Sequence, residues 1–507
     1  MSASDASSAR PPDASAHASG PDGRRELAGS RSYGAGARIL SLGIASTGLL
    51  TFAYFSIASH VLGESSAKLL DLLWSVMFVI ISVIYRPIEQ LLSRTIAGQR
   101  ARGREAHTLR VPMLIQASFA LTFLAVALAL HDELVHHVFE GQHALYDVLV
   151  VGTMAYAASY FARGWLAGHQ RFGLFGGLVL MESSSRICFA IAVAVGIASG
   201  QTAVALGIAA APLVSLVVVP AAFARTRRER TVVSAPMEAA LAGSAGGPAD
   251  AGITVEEVDE ADAALAGAAR AARAGAGGEP TPAVHEARAD EELSLRRGGG
   301  FAGWVSSIML SEQTLLNAAV LTVDATSSSR TLAGIVFNVL LIARAPLQLF
   351  QAIQTSLLPH LTGLEATAGH DSFARAIRLT VQAIAGFAVL VTLGLLALGP
   401  FALKDVFFGQ TFTYNRFGLA LIGVGMGLHL TSGALNQAAL ARDRARAAAL
   451  CWLTAAVVFV AWMLTPLIGE QLLRAEIGYA GATALLATLL TGLYRRGGRD
   501  SVPPARA

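Results

Sequence analysis

Long apolar runs, separated by short polar breaks, recur from residue 39 to residue 494. A bilayer-spanning helix needs about 20 mostly apolar residues, and these runs supply that length repeatedly. They predict spans at 39–59, 69–97, 111–130, 148–166, 172–198 and 202–223. Beyond a long polar stretch, further spans are predicted at 301–323, 332–358, 373–398, 417–440, 447–467 and 477–494. The pattern is that of an all-α polytopic membrane protein with about twelve helices in two sets of six. Its domain reading is a polar cytoplasmic tail at 1–37, a six-helix lobe at 38–224, a linker at 225–300, a second six-helix lobe at 301–494, and a tail at 495–507. The first tail lacks the apolar centre of a signal peptide and reads as disordered. The linker holds an acidic run (Glu256, Glu257, Asp259, Glu260, Asp262) but too few large apolar residues to build a core.

Composition sharpens this reading. Charged residues make up 14% of the chain, where a soluble domain carries about 25%. The pI near 9.0 does not point to nucleic acid, because the arginines cluster at the ends of apolar runs. One set of loops and the last tail carry Arg100, Arg102, Arg104, Arg110, Arg171, Arg225, Arg227, Arg228, Arg230, Arg375, Arg378, Arg442, Arg444, Arg495, Arg496 and Arg499. The alternate loops hold only Lys68, Arg330, Lys404 and Arg474. By the positive-inside rule both termini are cytoplasmic and the chain is expected in a bacterial inner membrane. Cys188 and Cys451 fall inside apolar runs and are expected to be inert core residues.

Several chemistries lack their motifs. There is no P-loop, no H-E-x-x-H and no paired aspartate that would hold a divalent metal for sugar transfer. The external loop His131–His143 carries four histidines and three carboxylates, but its spacing matches no standard metal site. It is expected to be a solvated loop, and no catalytic residue, metal or cofactor is expected. The G-x-x-x-G spacings Gly173/Gly177 and Gly423/Gly427 fit helix packing.

The two halves echo each other. Arg86-Pro87-Ile88-Glu89-Gln90-Leu91 in the second span parallels Arg344-Ala345-Pro346-Leu347-Gln348-Leu349 in the eighth. Leu166-Ala167-Gly168-His169-Gln170-Arg171, after the fourth, parallels Ala439-Leu440-Ala441-Arg442-Asp443-Arg444 after the tenth. A spacing of six spans makes the repeats parallel, as in transporters whose substrate sits between two lobes near mid-membrane. Pro87, Pro346 and Pro359 are expected to bend their helices.

Charges deep in these spans need partners, since an arginine at a helix centre costs roughly 2.5–3.5 kcal/mol. Arg186 lies deep in the fifth span with Glu182 one turn behind, a spacing at which the two can pair. Arg344 lies deep in the eighth span. Glu312 and Gln313 lie deep in the seventh, with Asn317 one turn on. One reading is a polar, net cationic chamber between the lobes, suited to a diphosphate, whose oxygens match arginine's fork. The other is structural: Glu182 neutralises Arg186, and Arg344 bonds Glu312 or a carbonyl. Arg86, Glu89 and Arg94 sit nearer the cytoplasmic end, where snorkelling serves equally.

These residues carry a resemblance. Tyr85-Arg86-Pro87-Ile88-Glu89-Gln90-Leu91-Leu92-Ser93-Arg94, Leu310-Ser311-Glu312-Gln313-Thr314-Leu315-Leu316-Asn317 and Leu62-Gly63 resemble the oligosaccharide and polysaccharide flippases of the multidrug/oligosaccharidyl-lipid/polysaccharide exporter superfamily. The resemblance implies two six-helix lobes in a V that rocks between inward- and outward-open states. It implies a polyprenyl-diphosphate-linked oligosaccharide as substrate, with membrane lipid and polysaccharide assembly enzymes as partners and a proton or sodium ion for coupling. The substrate-binding residues it implies are Arg186 and Arg344, matched by depth, joined by Glu182, Glu312, Gln313, Asn317, Arg86 and Gln348. A multidrug antiporter shares the fold but is expected to favour an acidic, aromatic-lined pocket without arginines, whereas this one has more arginines than carboxylates. A major-facilitator sugar transporter is disfavoured because the loop Gly98–Arg104 has no aspartate. A membrane polysaccharide polymerase or glycosyltransferase is disfavoured because the largest loop is cytoplasmic.

Overall fold

The computed structural model describes residues 43, 46–51, 53–103, 109–217, 295–326, 330–367, 369–401 and 415–499. The first tail, the last eight residues and most of the 225–300 linker lie outside these residues. So do many side chains between 324 and 352, including those of Arg344 and Gln348.

The described residues are helical almost throughout. Helix α1 covers residues 46–51 and 53–61. It is followed by α2 (Glu64–Ile84), α3 (Arg86–Ala101), α4 (Arg110–Ala129), α5 (His143–Gly168), α6 (Phe172–Ala194) and α7 (Gly200–Ser215). The second half comprises α8 (Leu295–Thr326), α9 (Arg330–Thr367), α10 (Gly369–Phe401), α11 (Arg416–Ala441), α12 (Ala445–Leu464) and α13 (Gln471–Arg499). Eight of the described helices, counting α2 and α3 as one, are long and apolar enough to cross a membrane.

The second predicted span is two helices, because the chain breaks at Tyr85 and restarts with Pro87 in the first turn of α3. Proline has no N–H to give to the preceding turn, and it suits a helix start for that reason. Pro346 and Pro359 both lie within the single helix α9. The last span, which the apolar pattern makes short, continues as α13 over 29 residues.

Each half is organised around its fourth helix. In the first, α5 packs on both α3 and α7; in the second, α11 packs on α9, α10 and α13. These are the fourth and tenth spans, so the repeat seen in the sequence has a counterpart in the packing. Between helices in lipid, close backbone approach replaces the hydrophobic effect as the source of association. A Cβ at Gly164 would stand 2.9 Å from Glu89 Cα, and one at Gly168 would stand 2.7 Å from Ile96 Cβ. The G-x-x-x-G that seats α5 on α3 is therefore Gly164/Gly168. Gly423 and Gly427 do face α10 closely, at Thr392 and Ala388, but Gly177 has nothing within 4 Å. The packing expected of Gly173/Gly177 thus fails at Gly177.

Large side chains such as Leu121, Leu128, Leu390, Leu393 and Leu398 are exposed, as lipid-facing residues must be. Cys188 belongs to that outer surface rather than to the core, and Cys451 is half-buried. Among the described residues two cores lie inside the first lobe, while a third joins Ile88, Leu91 and Ile115 of the first lobe to the second. The seam between the lobes is made chiefly by α3 against α8 and α9, with α4 also touching α8.

Candidate functional site

In the first lobe a polar, aromatic cluster forms where α1, α2, α5, α6 and α7 converge. Glu182 on α6 is buried, and it accepts hydrogen bonds from Arg163 and Ser159, one turn apart on α5. Ser215 on α7 donates to the same carboxylate at 3.3 Å. The expected one-turn pair of Glu182 with Arg186 is not made. The carboxylate turns toward α5, where a guanidinium and a hydroxyl meet it together, and a second arginine on its own helix is not needed. Arg163 was missed in the sequence, although it is an arginine inside an apolar run and met the same criterion as Arg186.

Arg186 instead faces rings and hydroxyls. Its Cζ lies 4.3 Å from the Trp74 ring centroid. It donates to Thr51 Oγ1 at 3.3 Å and to the Tyr156 hydroxyl at 3.5 Å. Arg163 lies over Tyr160 at 4.5 Å. Tyr54, Trp74, Tyr156 and Tyr160 make this an aromatic-lined site in which guanidinium groups occupy ring faces.

A second group lies in the other lobe. Glu312 Oε1 on α8 is 3.7 Å from His429 Nε2 on α11. The other ring nitrogen of His429 is 3.3 Å from the Tyr479 hydroxyl on α13. Trp452 stands beside that ring and donates to Asn436 at 3.2 Å. Asn317 bonds back to the Gln313 carbonyl at 2.8 Å within α8. The partner foreseen for Glu312 was Arg344; the described partner is His429, a lone histidine in the middle of an apolar run.

Arg86 belongs to the seam. With Glu89, Gln90 and Ser93 of α3 it faces Gln354, Thr355 and Leu358 of α9 around a cavity of about 10 Å³, enough for one water. Thr355 bonds Glu89 there. Arg344 and Gln348 lie on α9, and their side chains are outside the described residues. In the 131–143 segment, His131 bonds Asp132 at 2.8 Å and His137 meets Glu133 at 2.8 Å. Among the described residues no set of three or more histidines, cysteines or carboxylates gathers as a metal site.

Solved structures with the same arrangement identify the architecture. A mutant of the Vibrio cholerae MATE transporter VcmN superposes with a TM-score of 0.68 at 12% identity, covering 93% of this chain and 97% of that one. A MOP-superfamily transporter from Pyrococcus furiosus gives a TM-score of 0.67 at 12% identity over 93% and 96% of the two chains. The chain has the MATE fold. An outward-facing multidrug resistance MATE-family transporter of the MOP superfamily gives 0.63 at 12% identity over 93% and 96%. No protein-family model and no curated protein matches the sequence, so the likeness is one of structure.

That likeness shows a polytopic, two-lobed helical fold of the MATE type, and it tells against the expected cargo. These MATE-fold structures are described as MATE and multidrug resistance transporters. The lipid-linked oligosaccharide flippase of polysaccharide biosynthesis is therefore set aside, together with its oligosaccharide substrate and assembly-enzyme partners. Local electrostatics point the same way. Among the described residues Arg86, Arg163 and Arg186 stand among Glu89, Glu182 and Glu312. These three guanidiniums are matched by three carboxylates, with the Arg344 side chain outside the described residues.

Proposed function

We propose that the chain is a cation-coupled multidrug antiporter of the MATE type, a multi-pass protein of the bacterial inner membrane with both termini in the cytoplasm. The observation that carries this reading is the buried carboxylate of Glu182 paired with Arg163, which lies over the Tyr160 ring, beside Arg186 over Trp74. An exchanger needs one site that the coupling cation and the substrate occupy by turns. Glu182 can be neutralised by a proton or a sodium ion, which releases Arg163 from its pair. The ring faces now held by Arg163 and Arg186 are those an organic cation would use. Glu312 with His429 offers a second titratable pair in the other lobe.

The test is uptake of a lipophilic cation, tetraphenylphosphonium, into proteoliposomes under an imposed proton or sodium gradient. Gradient-driven exchange is expected, with its loss in Glu182→Gln and a raised KM in Trp74→Ala. Absence of organic-cation transport under both gradients overturns the reading.

A further inference from the structure

The seam between the lobes ends in an ion triad at the arginine-rich face. Asp443 lies in the turn between α11 and α12, Arg94 on α3 of the opposite lobe, and Arg297 at the start of α8. Arg94 Nη1 is 3.0 Å from Asp443 Oδ1, and Arg297 Nη2 is 2.6 Å from Oδ2. One carboxylate thus ties a guanidinium from each lobe. Arg94 also lies 5.0 Å from the Phe301 ring centroid, a second contact across the seam.

The turn that presents Asp443 is fixed within its own lobe. Its neighbour Arg442 bonds Glu365 at 3.2 Å and lies 4.1 Å from the Phe373 ring centroid and 5.5 Å from that of Tyr494. Beside the ions the backbones close in: a Cβ at Gly98 would stand 3.3 Å from Thr362, and one at Gly298 would stand 3.1 Å from Ile115. Deeper still is the water-sized cavity between Arg86 and Gln354. At this end the seam therefore combines ion pairs with close backbone contacts, and a polar plug lies deeper, at the Arg86 end of α3.

We propose that Arg94, Asp443 and Arg297 form an ionic latch that holds the arginine-rich end of the V shut and must break before the transporter opens to that side. The latch rests on lobe rocking in the proposed transporter but not on the identity of its cargo. Side-chain exposures of 21% for Arg94, 39% for Asp443 and 54% for Arg297 leave water in competition, so each pair contributes little. A gate that opens at every turnover needs that modest strength. Burial raises the Asp443 carboxyl, but Arg94 and Arg297 outweigh it and hold it below the usual carboxylate value, so it is ionised at neutral pH. The matching turn of the first lobe carries neutral Gln170, so only one lobe supplies the tie.

The test uses the full chain in lipid nanodiscs, in a Cys188→Ser, Cys451→Ser background. Spin labels go on Arg100→Cys and Asp371→Cys, exposed residues one on each lobe, and pulsed EPR reads their separation. Asparagine tolerates left-handed backbone, so Asp443→Asn keeps the turn. It is expected to raise the open, long-distance population about 2–10-fold. Arg94→Gln is expected to do the same, and the double variant to add little. Unchanged distances in Arg94→Gln, or additive effects in the double variant, overturn the latch. Arg94→Gln alone decides the matter if Asp443→Asn does not fold. Distances that shift in a protein carrying no organic cation leave the latch standing and sink the antiporter. Unchanged distances in an active transporter do the reverse.

Discussion

Gln170 and Asp443 occupy the same place in two copies of one turn. Both are left-handed, with φ of 56° and 59°. The turns close alike: Arg171 N donates to Leu166 O at 2.8 Å, and Arg444 N donates to Ala439 O at 2.9 Å. These six-residue caps end α5 and α11, the central helix of each lobe, by the helix-ending pattern that usually employs glycine. The repeat kept the turn and changed its charge.

A side chain in left-handed backbone costs about 1–2 kcal/mol. Gln170→Gly is therefore expected to stabilise the protein by about 1 kcal/mol, measured as a rise in the unfolding midpoint in detergent. Asp443→Gly relaxes the same strain but removes the latch carboxylate, so its open population should rise as in Asp443→Asn. An unchanged midpoint in Gln170→Gly would refute the strain argument.

Glu182 is buried and Arg163 nearly so, with side-chain exposures of 3% and 12%. Removing one partner strands the other, at about 3–5 kcal/mol. Glu182→Ala should thus destabilise strongly, whereas Glu182→Leu with Arg163→Met should recover most of the loss. Thermal unfolding of the three proteins checks this. A double variant as unstable as the single one would mean that the pair's value lies elsewhere.

Gly168 lets α5 meet α3 at Ile96. Gly168→Val is expected to overpack this contact and cost about 1–3 kcal/mol, whereas Gly177→Val, with open space around it, should cost far less. Comparing the two midpoints tests which G-x-x-x-G seats a helix.

The lowered Asp443 carboxyl fixes the sign of the latch's pH dependence. Its stabilisation is fully present above the unfolded carboxylate value of about 3.9 and is lost only as pH falls through the lower folded value. The spin-label distances should hold from neutral pH down to about pH 4 and lengthen only below it. High salt should loosen the latch at any of these pH values, because exposed pairs are screened. A change centred near pH 6.5 would point to a histidine instead.

The linear pattern determined the helices, because a bilayer accepts only long apolar runs whose backbone bonds are satisfied within the helix. It also carried the repeat, visible in the Arg86/Arg344 and Gln170/Asp443 segments, and it marked Glu182, Arg186 and Glu312 as charges too deep to be incidental. Tertiary structure decided what those charges touch. Glu182 took Arg163 from α5 instead of Arg186 one turn away, and Glu312 took His429 from α11. The lobes met through an arginine and an aspartate hundreds of residues apart. A helix sets which residues share its own face, but only the packing of helices sets which faces meet. In lipid that packing follows small residues such as Gly164 and Gly168, whose close approach leaves no periodic signature in the chain.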